Sequence, residues 1–246
     1  ILNGGNLIRS ENINDFIRLI ALSYPIKLSL KYEKDFIIFP SSTTKINKMG
    51  SYVFKKYFSK SKLFFTREED SYIYLKDYFE KDKIFINRIK NSIDLAYFID
   101  EKFFSFQGNQ PLQSFKNHVA FTFRVFEIGD AKEFTQKKKK NILNNILDTI
   151  NYILSLGERV VLVCQTEKDI NFTKQVYEKY ENNRNVSFIL SKDPLEWRKI
   201  YSEVDLLIGM RLHSIILATS VGTPAIGIFD SSWGKKNPGT MKKFEL

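Results

Sequence analysis

The sequence predicts an α/β fold of two doubly wound Rossmann-like domains, and three observations carry that prediction. Short apolar, β-branched runs alternate with longer segments of helical period, the pattern of parallel strands covered by helices. Periodicity is lost over 100–117, where Gly108, Asn109, Gln110 and Pro111 cluster, so the division falls at 1–112 and 113–246. The 246 residues, 43% of them apolar, suffice for two cores. The chain opens at Ile1 rather than Met, so the first domain is expected to be incomplete.

In the first part, strands are predicted over 1–3, 35–39, 62–66 and 83–86, and helices over about 12–24, 50–58 and 68–79. Thr66, three residues before Glu69, reads as a capping box for the third helix. A further short strand is predicted at 94–99. Gly4 and Gly5 follow the first strand and precede a helix, where missing Cβ atoms allow a ligand to approach the backbone. Both are candidate pocket-lining residues.

The second part is more regular. Strands are predicted over 118–124, 159–164, 186–190, 204–208 and 224–229, with helices over about 135–156, 167–180, 194–201 and 212–221. The third helix has Asp193 as N-cap, Pro194 at its first position and Glu196 at its third, a strong start signal. Gly222 suits the end of the fourth helix, and Pro224 opens the last strand. Five strands alternating with four helices favour an open sheet of order 3-2-1-4-5 over a closed barrel.

Composition narrows the partners. The net charge of +10 favours anionic ligands such as phosphorylated metabolites, nucleotide-linked sugars or an anionic membrane surface. The basic residues are scattered, and the densest run, Lys137 to Lys140, reads as a solvated helix face. No zinc-knuckle spacing or RNA-recognition aromatic motif is present, so no nucleic-acid partner is expected. Cys164 is the only cysteine, which excludes an internal disulfide framework and fits the reducing cytoplasm. No metal-ligand cluster is visible, and no apolar run reaches the length of a membrane span.

Topology then selects the site. Sheets of this order bind ligands beyond the carboxyl ends of their strands, where the winding reverses between strands 1 and 4. That places Arg124, at the end of the first strand of the second part, beside Gly209, Arg211, Leu212 and His213, which follow the fourth. A strand ending in Gly and opening a helix presents unpaired N–H groups at the positive end of the helix dipole. Arginine adds a fork for phosphate or carboxylate, and histidine a group that titrates near neutrality. Asp230, past the fifth strand, is a candidate for the same rim. His118, at the opposite edge, and Cys164 read as structural.

The run from Val204 to Ile228, with Arg211-Leu212-His213-Ser214, a small apolar helix and Gly222-Thr223-Pro224, resembles the C-terminal signature of the polysaccharide pyruvyl transferases. Weaker matches are Gly4-Gly5, Phe39-Pro40-Ser41-Ser42, Thr66-Arg67-Glu68 with Ser71, Asp94-Leu95-Ala96 and Arg124. Asn6 stands where a third glycine is usual, Ser41 where Gln is common, and the first β-α unit of the family with its Gly-Asp motif is absent. The resemblance implies a GT-B-like pair of domains, the first on the acceptor side and the second on the donor side. It implies transfer of pyruvate from phosphoenolpyruvate to a sugar of a glycan or lipid-linked precursor as a ketal, releasing phosphate. Arg124, Arg211 and the Leu212 amide would bind the donor, and His213 would both contact it and move the proton. Phosphoenolpyruvate would be a co-substrate, with no separate cofactor and no metal, in the cytoplasm or at the inner membrane face. Two alternatives remain open: a GT-B glycosyltransferase using a nucleotide-sugar donor, and a non-catalytic glycan- or phosphate-binding relative.

Overall fold

The structure, a computed structural model, describes residues 7–99, 114–124, 136–229, 239, 241 and 242. These fall into two compact units: 7–95 with 239, 241 and 242, and 96–99 with 114–124 and 136–229. Strand 1–3, the glycines Gly4 and Gly5, Asp230 and most of the connection over 100–117 lie outside the described residues.

The first unit runs β1 (Leu7–Ser10), α1 (Ile13–Lys31), β2 (Ile37–Ile46), α2 (Lys48–Lys56), β3 (Leu63–Thr66), α3 (Glu69–Tyr78), α4 (Lys83–Arg88) and β4 (Ile89–Asn91). Its strands are parallel in the order β1-β2-β3-β4. That order has no reversal among the described strands. The core is rich in phenylalanine: the Phe54 ring lies 5.2 Å from Phe58, 4.9 Å from Phe79 and 5.7 Å from both Phe64 and Phe85.

Three expectations change here. The run 83–86, read as a strand, is the start of α4, because Asp82 caps it by accepting from the Phe85 N–H at 3.0 Å; the strand follows at Ile89. The Thr66 capping box does not form: Thr66 ends β3, and Glu68 is the N-cap without a side-chain cap bond. The stretch 94–99 holds a 3-10 helix, Leu95–Phe98, rather than a strand. In addition, Leu7–Ser10 forms a strand, β1, ahead of α1, where none was predicted.

The second unit runs β5 (His118–Thr122), α5 (Gln136–Ser155), β6 (Arg159–Cys164), α6 (Glu167–Tyr177), β7 (Val186–Leu190), α7 (Pro194–Glu203), β8 (Leu206–Gly209), α8 (Leu212–Ser220) and β9 (Ala225–Gly227). All pairs are parallel, in the order β7-β6-β5-β8-β9, which is 3-2-1-4-5 in the numbering of this unit. β5 and β6 are buried on both faces apart from Arg159, as expected of strands covered by helices on each side. Val119, Phe121, Leu162 and Ile208 pack with Ile146, Ile150 and Phe172 of α5 and α6. Asp193 caps α7 by accepting from the Leu195 N–H at 2.9 Å. Gly222 ends α8 with φ +85°, a conformation other residues adopt at a cost.

Candidate functional site

Winding reverses between β5 and β8, and in sheets of this order that is where ligands are held, beyond the carboxyl ends of the two strands. Two arginines follow these strand ends. Arg124 lies two residues past β5, and Arg211 is the N-cap of α8, just past β8. They are close enough to repel: the pKa of Arg124 is lowered, first by burial and then by the charge of Arg211, with Asp169 opposing.

Arg211 is not an open fork. Its Nε donates to Oδ2 of Asp169 at 2.6 Å, and its Nη2 pairs with the same oxygen and donates to Oγ1 of Thr166 at 3.1 Å. Thr166 in turn donates to Asp169 Oδ2 at 2.9 Å. Asp169 is 1% exposed, and its Oδ1 is buried and accepts no hydrogen bond. The expectation of two free guanidinium forks is thereby corrected. The Nε and Nη2 edge of Arg211 is committed to Asp169 and Thr166 at the start of α6, and Nη1 takes no part in those bonds. Asp169 acts on both arginines: it pairs with Arg211 and raises the pKa of Arg124 against the charge of Arg211.

The start of α8 is built closely. Met210 donates its N–H to Thr122 O at 2.9 Å, locking the turn to the end of β5. At Gly209 a Cβ would stand 3.2 Å from both Ile215 Cγ1 and Thr122 Oγ1, so glycine lets α8 approach the strand. The first intrahelical bonds are donated by Ser214 and Ile215 to Arg211 O, which places the amides of Leu212 and His213 ahead of the helical ladder. The Leu212 side chain is buried and anchors the helix in the core, while His213 is exposed. Ser214 donates to Gln165 Oε1 at 2.8 Å, and Gln165 Nε2 donates to the Tyr201 hydroxyl at 2.9 Å. Tyr201 is fully buried, which pushes its pKa far up and keeps it a neutral hydrogen-bonding group.

The structure thus brings Arg124, Gly209, Arg211 and Leu212 to the adjoining ends of β5 and β8, with His213 on the exposed first turn of α8. Gly4, Gly5 and Asp230 lie outside the described residues. Asp169 was missed by the sequence reading, and its signal was present: Thr166-x-x-Asp169 opens a helix next to the central strand. Cys164 is buried with its thiol pKa raised by that burial, and His118 is buried with Nδ1 2.9 Å from Lys116 O, both structural as expected. Among the described residues no group of His, Cys, Asp or Glu converges as a metal site.

Parallel α/β units whose winding reverses beside a helix N-terminus are common among phosphate- and nucleotide-handling proteins. Within it, residues 1–230 match the model of the polysaccharide pyruvyl transferase family, and the chain belongs to that family of transferases. Among solved structures it is similar to accessory secretory protein 1,2 and 3 of Streptococcus pneumoniae, at 12% identity and TM-score 0.49, over 93% of this chain and 50% of that one. It is also similar to UDP-GlcNAc 2-epimerase of Neisseria meningitidis bound to UDP-GlcNAc, at 14% identity and TM-score 0.49, over 97% and 66%. The chain thus spans half to two thirds of those proteins. The same enzyme of Methanocaldococcus jannaschii matches at 13% identity and TM-score 0.47, over 94% and 73%.

Proposed function

We propose that the protein transfers pyruvate from phosphoenolpyruvate to a sugar of a glycan or glycan precursor as a ketal, releasing phosphate. The observation that carries this reading is the pair Arg124 and Arg211 at neighbouring strand ends, close enough for the charge of one to act on the other. Phosphoenolpyruvate presents a phosphate and a carboxylate, and two guanidinium groups with the first-turn amides of α8 suit both. The Leu212 amide is one of those donors. The second unit would be the donor side and the first, in a GT-B-like pair, the acceptor side.

In the reaction, a proton goes to the methylene carbon and leaves C2 electrophilic. One sugar hydroxyl adds there with loss of its proton, and a second displaces phosphate, closing the ketal. His213 would move the proton, as acid to the methylene or base to the hydroxyl. The arginines would hold the phosphate as its charge grows on departure. Phosphoenolpyruvate acts as a co-substrate, so no cofactor is called for. That donor and the net charge of +10 fit a cytoplasmic protein working at an anionic membrane face, and no described helix is long and apolar enough to cross the membrane.

The test is phosphate release from phosphoenolpyruvate with a panel of glycan and lipid-linked acceptors. Release that requires an acceptor and vanishes in His213→Ala supports the reading. Stabilisation against heat by nucleotide sugars and not by phosphoenolpyruvate would assign the crevice to a glycosyltransferase instead. Absence of turnover with every acceptor, despite donor binding, would make it a binding protein.

A further inference from the structure

The outer face of α1 does not follow the rule for a surface helix. Its buried stripe, Leu19, Ser23 and Ile26, faces the sheet as expected. Ile13, Ile17, Ile20, Tyr24 and Leu28 recur at intervals of four, three, four and four, which puts them on the opposite face. They are 64%, 59%, 47%, 61% and 38% exposed. This apolar row extends about 22 Å along the helix. A helix apolar on both sides is normally covered on both.

Basic residues frame the row. Lys27 and Lys31 are exposed on its C-terminal flank, and Lys34 follows the helix. Beside α1, α2 exposes Met49 and Tyr52 together with Lys48, Lys55 and Lys56. The Lys31 and Lys56 ammonium groups lie over the Tyr32 and Tyr52 rings at 5.6 and 5.4 Å. Among acidic groups on this side, Glu11 pairs with Lys45 and Asp15 is buried against Arg9, while Glu33 lies beyond the C-terminus of the helix.

We infer that the α1 face is a membrane-docking surface, with the Ile and Leu side chains in the acyl boundary, Tyr24 at headgroup level and the lysines on anionic phosphates. A second copy of the chain is the poorer occupant, because a symmetric contact would oppose these lysines to themselves. The inference gives a location to the membrane association proposed above, and does not depend on which group the crevice transfers.

The test is co-sedimentation of the 246-residue protein with phosphatidylcholine vesicles, with and without phosphatidylglycerol. Binding should favour the anionic vesicles by about ten-fold or more and weaken with salt. The Lys27→Glu, Lys31→Glu double variant should lose about 20-fold of that binding. Ile17→Glu with Ile20→Glu should abolish it while leaving the thermal melt unchanged, since both positions are exposed. Should that variant melt early, a fluorophore on Ile20→Cys decides instead: its emission should shift to the blue with anionic vesicles, and a label on Lys179→Cys should not. Binding equal for both vesicle types, no binding, or a solution dimer dispersed by the Ile17/Ile20 variant would overturn the inference. The readout is lipid binding, so failure here leaves phosphate release untouched.

Discussion

Arg67, after β3, and Arg211, after β8, each follow the carboxyl end of a strand, in opposite circumstances. Arg67 is fully buried: Nε donates to Ser42 Oγ at 2.8 Å, Nη1 to Asp94 Oδ2 at 2.7 Å, and Glu68 Oε2 is 3.5 Å away. Glu68 is itself tied to Ser42 at 3.0 Å and to Ser71 at 2.5 Å, and Ser71 accepts from the Thr43 N–H at 2.7 Å. One cation thus sits between two carboxylates, sealed from solvent. At Arg211 the Asp169 carboxylate acts on two cations, and the guanidinium is partly open to water. Arginine at a strand end is therefore not a site by itself. Burial and the partners within reach decide: the Arg67 arrangement is sealed and clamps loops together, whereas Arg211 keeps part of its guanidinium exposed beside a second arginine.

That contrast can be broken by experiment. The largest effect is expected at His213, where His213→Ala should lower turnover about 10²- to 10⁴-fold and leave the melting temperature unchanged. Unchanged turnover would remove the exposed histidine from the chemistry. Next, Arg67→Met should cost about 3–5 kcal/mol of stability in denaturant unfolding, since it leaves buried carboxylates without their cation. Donor affinity of the folded fraction should not move. Loss of donor affinity at full stability would erase the distinction between the two arginines.

Arg211→Lys keeps the charge but loses the fork, and phosphoenolpyruvate affinity by calorimetry should fall about ten- to a hundred-fold. Wild-type affinity in that variant would mean that charge alone matters there. The smallest effect separates the classes most cleanly. Arg124→Met removes a charge that burial and Arg211 disfavour, so stability should change by less than about 1 kcal/mol while donor affinity drops. A loss as large as that of Arg67→Met would make Arg124 a clamp as well.

The second unit was readable because its strands are mostly apolar, with helical segments between them, and because one helix start carries its own cap. β6 and β7 lie where predicted, and Asp193 and Pro194 open α7. The first unit was harder, for reasons of packing. The helix predicted to end at 24 continues past Pro25 to Lys31, because Leu19 and Ile26 on either side of the proline both belong in the core. β2 likewise passes Pro40, where the register with β3 shifts between Ile38 and Ser41, so the proline sits at an irregularity rather than in a regular ladder. Of the site, position followed from topology, since the strand order 3-2-1-4-5 brings Arg124 and Arg211 together. The commitment of Arg211 to Asp169 did not, because a pairing across two β-α units depends on side-chain direction that spacing does not encode.

The chain of hydrogen bonds from Ser214 through Gln165 to Tyr201 has one further consequence. Ser214 is the next residue after His213, so the turn bearing the imidazole is tethered to the end of β6 and, through Tyr201, to α7. Such a turn is oriented before any ligand arrives, and its dipoles need not reorganise when charge develops nearby. Tight-fitting anions would be held at once, and larger ones would find no give in this wall.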